Sequence, residues 1–318
     1  MEAKKLKKTK EASKVEHIKN LVLGSGPAGL SAALYTARAQ LEPVVLAGAD
    51  YGGQVSLTHI VENYPGFPEA VGGPELTELF KKQAERFGAK VLFDTAIEVD
   101  LSKRPFRVKT YEHEFLADTL IIATGATHKH LEVPGETEFT GRGVSYCGTC
   151  DGFFFKDKDV VVVGGGDSAL EEGTFLTRFA NNVTVVHRRE EFRAGDLLMQ
   201  RAKENPKMKF VVNTVVNKID GNGAVDKVQF EDLKTGNKQP FKTDGVFIFI
   251  GHTPNTQLFV GQLDMENGYI KANKYMETSV PGVFAAGEVA DPHFRQVITS
   301  AGMGAAAGIQ ATKFLENE

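Results

Sequence analysis

The sequence predicts an α/β protein of two Rossmann-like domains, the second inserted into a split first. Three observations predict it. Two glycine-rich turns each follow an apolar strand directly and open a helical stretch. Each unit is followed by a polar segment with β-like alternation, residues 89–119 and 209–242, that closes on an apolar strand and a glycine. A last apolar run, 282–287, also ends in glycine and would rejoin the first domain.

Taken in order, residues 1–17 are lysine-rich and polar, without the apolar stretch of a signal peptide, and are expected to be a mobile tail. The run 21–23 leads into Gly24-Ser25-Gly26-Pro27-Ala28-Gly29 and a helical pattern over 30–39. In such a turn the first glycine permits the bend, the second lets a pyrophosphate approach, and the third packs helix on strand. The next strand, 43–46, ends in Ala47-Gly48 with no acid to bind a ribose; Asp50 is the nearest candidate. That favours a flavin nucleotide over NAD at the first turn. The strand 120–125 ends this part, with a crossing near 127–130.

The second unit has the strand 160–163, the turn Gly164-Gly165-Gly166-Asp167-Ser168-Ala169, and a helix through Leu170, Phe175 and Leu176. Its following strand, 183–186, ends in His187-Arg188-Arg189, with Arg193 close behind. Guanidinium groups there suit a 2′-phosphate, so the site reads as one for NADPH; a solvated basic patch is the alternative. The strand 246–251 leads to a return crossing near 252–255. The expected boundaries are 18–127 and 254–318 for the first domain and 128–253 for the inserted one.

Net charge is −4, which invites no nucleic acid, and no apolar stretch approaches the about 20 residues that span a bilayer. A cytoplasmic location is expected. The two cysteines stand as Cys147-Gly-Thr-Cys150, followed by Asp151. Two cysteines without histidines at ligand spacing do not make a zinc site, so no metal is expected. The spacing suits a redox-active pair between two nucleotide sites; two buried small side chains are the bland alternative. Electrons would pass from NADPH to flavin to the cysteine pair and on to a partner disulfide, with Asp151 as proton donor and acceptor or as a plain capping residue.

These residues resemble a known family. GSGPAG, GGQ at 52–54, ENYPGFP from Glu62, CGTCDG, GGGDSA, HRREEFRA, GHTPN from Gly251 and RQVITSAG from Arg295 are similar, over about 18–315, to the low-molecular-weight, bacterial-type thioredoxin reductases. The resemblance implies a homodimer, FAD in the split domain, NADPH in the inserted one, and thioredoxin as partner. It implies that Cys150 faces the flavin, that Cys147 attacks thioredoxin, and that Asp151 is the acid/base. It places FAD against Gly24, Ser25, Gly26, Pro27, Ala28, Gly52, Gln54, Asn63, Gly287, Glu288, Arg295, Gln296 and Val297. It places NADPH against Gly166, Asp167, Ser168, His187, Arg188, Arg189 and Arg193. Two positions depart from the family pattern: Glu288 stands where aspartate is usual, and Gly148 where alanine is more frequent, the latter an expected minor change.

Nicotinamide and cysteine pair share the inserted domain and cannot meet one flavin together, so rotation about 127–130 and 252–255 is expected. Two other readings of the residues remain at this point. One is a flavoprotein of this fold with another electron acceptor; the other is a non-catalytic nucleotide sensor.

Overall fold

The structure, a computed structural model, describes residues 15–58 and 60–317. It divides into two compact units, one made of residues up to Leu57 with Val71–Ala126 and Pro254 onward, the other of Thr58–Ala70 and Thr127–Thr253. The second is thus inserted into a split first. The segment Thr58–Ala70, which the sequence reading assigned to the first domain, belongs to the second unit.

In the first unit, among the described residues, strands β1 (Val15–Leu23), β2 (Val44–Leu46), β3 (Lys90–Leu92), β4 (Ala96–Asp100), β5 (Phe106–Thr110) and β6 (Glu114–Ile122) share one sheet in the order β3-β2-β1-β6-β5-β4. The strand Val283–Ala285 adds to β6 in parallel, with Val283 opposite Leu120. The polar stretch 89–119 therefore continues the nucleotide-fold sheet through the antiparallel β4 and β5 instead of forming a layer of its own.

β1 begins earlier than expected. Val15 to His17 pair with Glu114 to Leu116 of β6, and His17 Nε2 meets Asp118 Oδ1 at 2.8 Å. Backbone pairing holds these exposed residues, so no apolar pattern betrays them. The rest of the expected tail, 1–14, lies outside the described residues.

Helix α1 (Pro27–Arg38) starts three residues before the pattern suggests, because Pro27 occupies its first turn, where the missing N–H costs nothing. It packs against the C-terminal helix Val297–Glu316, whose buried face is Ala301, Gly304, Ala307, Gly308 and Ala311. A Cβ on Gly304 would enter the Ala28 carbonyl, so only glycine allows this backbone approach.

In the second unit the strands Met208–Val211, Asn182–Val186, Asp159–Val163, Gly245–Ile248 and Val144–Ser145 lie side by side in that order, all parallel. Val160–Val163 are buried on both faces, as a central parallel strand requires. The order of the first four repeats that of β3-β2-β1-β6, so both units carry the same nucleotide-fold core. Here the polar stretch forms a separate antiparallel sheet, Thr214–Gly221, Val225–Asp232 and Lys238–Lys242. The two crossings, Ala126–His128 and His252–Pro254, pair with one another as short strands.

Candidate functional site

Cys147 and Cys150 form a disulfide, Cα to Cα 5.3 Å, at the start of the four-residue helix Gly148–Asp151. The parallel strand Val144–Ser145, one residue upstream, delivers Cys147 to this point. Cys147 caps the helix: its Sγ accepts the N–H of Cys150 at 3.2 Å and lies 3.4 Å from Thr149 Oγ1. A disulfide sulfur carries no hydrogen, so the threonine hydroxyl donates. Both donors would stabilise a thiolate on Cys147 after reduction.

Burial pushes the Asp151 carboxyl above the ordinary aspartate range, against a smaller opposing effect from a hydrogen bond to Ser145. Ser145 Oγ also accepts the Cys147 N–H at 3.1 Å. One hydroxyl thus ties the acid to the sulfur-bearing residue. Glu172, on the helix Asp167–Leu176, faces the same short helix, its Oε2 standing where a Cβ on Gly148 would have to go. Alanine at 148 would displace this carboxylate, the movable end of a flexible side chain, which keeps the departure small.

At the second glycine turn Asp167 opens the helix and accepts the Gly195 N–H at 2.9 Å. Ser168 is exposed, and Gly166 has no atom within 4 Å of where its Cβ would be. Arg188, Arg189 and Arg193 are exposed, and among the described residues none of these guanidinium groups forms an ion pair. His187 differs from them. It is buried, its ring fills the space beside Gly165, and its Nε2 meets the Glu191 carbonyl at 3.2 Å. Burial, then the three arginines, lower its pKa against that hydrogen bond, so the ring is neutral at pH 7.

At the first turn Ser25 Oγ is spent on the fold, donating to the Ala47 carbonyl at 2.9 Å and accepting the Gly52 N–H at 3.0 Å. Pro27 and Ala28 are buried in the first turn of α1. Gly24, in the left-handed region, lies against Ala123, and Gly26 faces open space, its Cβ position 4.0 Å from Gly52 O. Gly287 comes up against Ala28, so the chain's last sheet strand ends beside this turn. Gln296, before Val297, caps the C-terminal helix through a reciprocal box with Thr299. Glu288 is pushed up to about 7 by burial, with Arg295 opposing and Asp291 reinforcing the shift. Gln54 lies in the short helix Gly53–Leu57, whereas Asn63 lies in Thr58–Ala70 and so belongs to the other unit.

Comparison with known proteins assigns the arrangement. Residues 18–304 match the pyridine nucleotide-disulphide oxidoreductase family. The thioredoxin reductase of Mycolicibacterium smegmatis is 47% identical over 94% of this chain and 96% of its own. That of Rickettsia conorii is 49% identical over 93% of this chain and 98% of its own. The crystal structure of the thioredoxin reductase from Streptococcus pyogenes superposes with a TM-score of 0.91 at 41% identity, covering 95% of this chain and 99% of that one. The chain belongs to the pyridine nucleotide-disulphide oxidoreductases, in their thioredoxin reductase group.

For a pyridine nucleotide-disulphide oxidoreductase, the fit of both turns to dinucleotides can be tested on this chain. Gly26 and Gly166 each begin a helix, of 12 and 10 residues, without a side-chain cap, and leave their Cβ positions empty. A pyrophosphate fits there against free N–H groups. Among the described residues no group of three or more His, Cys, Asp or Glu could hold a metal, and no helix is long and apolar enough to cross a membrane.

Sequence reasoning missed Ser145, Thr149 and Glu172. Thr149, between the cysteines, was within reach of a local argument. Glu172 was not, because α-helical contact across the unit brings it to Gly148.

Proposed function

We propose that this protein is an NADPH-dependent thioredoxin-disulfide reductase. The observation that carries the reading is the Cys147–Cys150 disulfide with two donors on Cys147 Sγ and a half-buried acid of raised proton affinity, Asp151, one residue past Cys150. That set favours a thiolate on one sulfur and holds a proton beside the other.

FAD would be held at Gly24, Gly26, Pro27, Ala28 and Gly287, with Gly52, Gln54, Asn63, Glu288, Arg295, Gln296 and Val297 around it. NADPH would be held at Gly166, Asp167 and Ser168, with Arg188, Arg189 and Arg193 on its 2′-phosphate and His187 shaping the turn from below. When bound, the two cofactors supply a pair of electrons at the flavin drawn from the nicotinamide.

Two electrons and two protons convert the disulfide to a dithiol, and the protein's own groups govern the exchange with the partner. Cys147, as thiolate, attacks one sulfur of the partner disulfide and forms a mixed disulfide, releasing the other as a thiolate that needs a proton. Asp151, protonated above the ordinary aspartate range, is placed to donate it. Cys150 then attacks Cys147 Sγ, which frees the second partner thiol and restores the internal disulfide. The partner gains the electrons and protons that the dithiol loses.

The reading extends to a homodimer in the cytoplasm and to rotation of the inserted unit about 127–130 and 252–255. Two short crossings between units support that motion. The deciding experiment is NADPH oxidation by the purified protein with and without oxidised thioredoxin. Thioredoxin-dependent turnover is expected; NADPH consumption indifferent to thioredoxin would move the search to another acceptor.

A further inference from the structure

Tyr146 is the single residue between the strand Val144–Ser145 and Cys147. Its hydroxyl donates to Glu136 Oε1 at 2.8 Å and lies 2.9 Å from His130 Nδ1, whose N–H it accepts. Glu136 is itself fixed. Its side chain is 3% exposed, and it accepts the N–H groups of Leu131 at 3.0 Å and Glu132 at 2.7 Å, with His130 Nδ1 at 3.3 Å. The Tyr146 ring stacks on His128, centroids 4.9 Å apart and planes 15° from parallel, and His128 in turn meets His252.

Upstream, Val144 and Ser145 are held in register against Val246 and Phe247. Downstream, Cys147 Sγ must sit within reach of the Cys150 N–H and the Thr149 hydroxyl. The side chain of Tyr146 is the anchor between these two points. Packing alone would be served by phenylalanine; a buried carboxylate that collects the hydroxyl as well as two backbone amides points to a position being held.

We propose that Tyr146, anchored by Glu136 and stacked on His128, is a positioning residue for Cys147 and sets the thiolate stability and reduction potential of the Cys147–Cys150 couple. Loss of the anchor lets the sulfur drift from its two donors, which disfavours the thiolate and hence the reduced form. The inference rests on the proposed role of Cys147 as the exchanging thiol.

The test compares the parent holoprotein with Tyr146→Phe, which keeps the ring and loses the hydroxyl, and with Tyr146→Ala. Two quantities are read: the pH profile of iodoacetamide alkylation of the reduced protein, with the modified cysteine identified by peptide mass, and the dithiol–disulfide equilibrium in a dithiothreitol redox buffer. Asp151, Glu172, Glu136 and the three histidines face this region and are unchanged in both variants.

Tyr146→Ala is expected to move Cys147 alkylation to higher pH, slowing it about tenfold at pH 6, and to shift the equilibrium toward disulfide by about tenfold, ~30 mV for a two-electron couple. Tyr146→Phe is expected to give about a threefold change in each. If Tyr146→Ala does not fold, Tyr146→Phe decides. A Phe variant with the parent's alkylation profile and equilibrium overturns the proposal. Alkylation of Cys150 ahead of Cys147 in the parent overturns it too, since the exchanging thiol would be the other one. If the parent reduces no thioredoxin yet both quantities move with Tyr146, the partner assignment fails and the positioning role stands.

Discussion

His128 Nδ1 lies 2.6 Å from His252 Nε2. Hydrogen bonds from Asn255 N to Gly125 O and from Lys129 N to Gly251 O, 3.0 Å each, bracket the two crossings as an antiparallel pair and set these histidines face to face. One ring presents an N–H and the other a lone pair, so the contact is a single hydrogen bond between the crossings. His128→Phe removes it, and hydrogen exchange at the Lys129 and Asn255 amides, read relative to the core at one fixed pH, is expected to quicken about threefold. Exchange equal to the parent's would show that the histidine pair does not hold the crossings together.

Asp151→Asn removes the carboxyl that we propose as the proton donor in the exchange. Thioredoxin-dependent turnover is expected to fall about 10²-fold, as for loss of a general acid. Because burial raises the Asp151 pKa, its protonated form persists to higher pH than in an ordinary aspartate, and parent activity declines as pH rises through that value. The asparagine variant should lack this limb of the pH profile, read as kcat between pH 5 and 9.

Arg188→Ala and Arg189→Ala each remove an exposed guanidinium beside the second glycine turn. Each is expected to raise KM for NADPH about tenfold, the value of one charge-assisted contact, and to leave KM for NADH within about twofold. An unchanged ratio of the two would locate the 2′-phosphate away from these residues.

Glu288→Gln tests the departure at the first site. The folded pKa of about 7 exceeds the unfolded 4.5, so the folded chain binds the extra proton between these values. The penalty is absent below pH 4.5, grows as pH rises, and is complete above pH 7. Thermal melts of cofactor-free protein should show the glutamine variant more stable by roughly 1–3 kcal/mol at pH 8 and level with the parent at pH 4.5. Equal melting at both would mean that Glu288 carries no such penalty.

Gly304→Ala places a methyl group where the Ala28 carbonyl lies, forcing the C-terminal helix away from α1. A loss of about 1–3 kcal/mol is expected, as for overpacking, and flavin retention should weaken with it because Ala28 lies in the first glycine turn. A melt within 1 °C of the parent would show that the helices part freely.

Much of the architecture was legible because its signals are local. A glycine that bends, an apolar run before it and a helical period after it lie within about 20 residues, so both nucleotide-fold units could be read from spacing alone. The cysteine pair was legible for the same reason: three residues of separation bring the sulfurs within bonding reach. Other elements had no local signal. The strand residues Val15 to His17 are exposed and show no buried apolar alternation, and only their pairing with β6, about a hundred positions away, makes them a strand. Likewise, residues 89–119 read as β-rich, but nothing in them says that they extend the first sheet while their counterparts after Lys209 form one of their own.

At the functional site the division is sharper. Arg188, Arg189 and Arg193 were visible as a charge cluster after a strand, whereas their neighbour His187 turns inward, because the space left by Gly165 accepts its ring. The residue types and order of the glycine turns, the dithiol and its acid were specified along the chain, since the chemistry needs them a few bonds apart. The surroundings that tune them were decided by tertiary packing: Ser145 between Asp151 and Cys147, Glu172 against Gly148, and Tyr146 held by Glu136 and His128. Burial and through-space contact have no sequence period, so a carboxylate's proton affinity or a sulfur's donors exist only once the chain has folded.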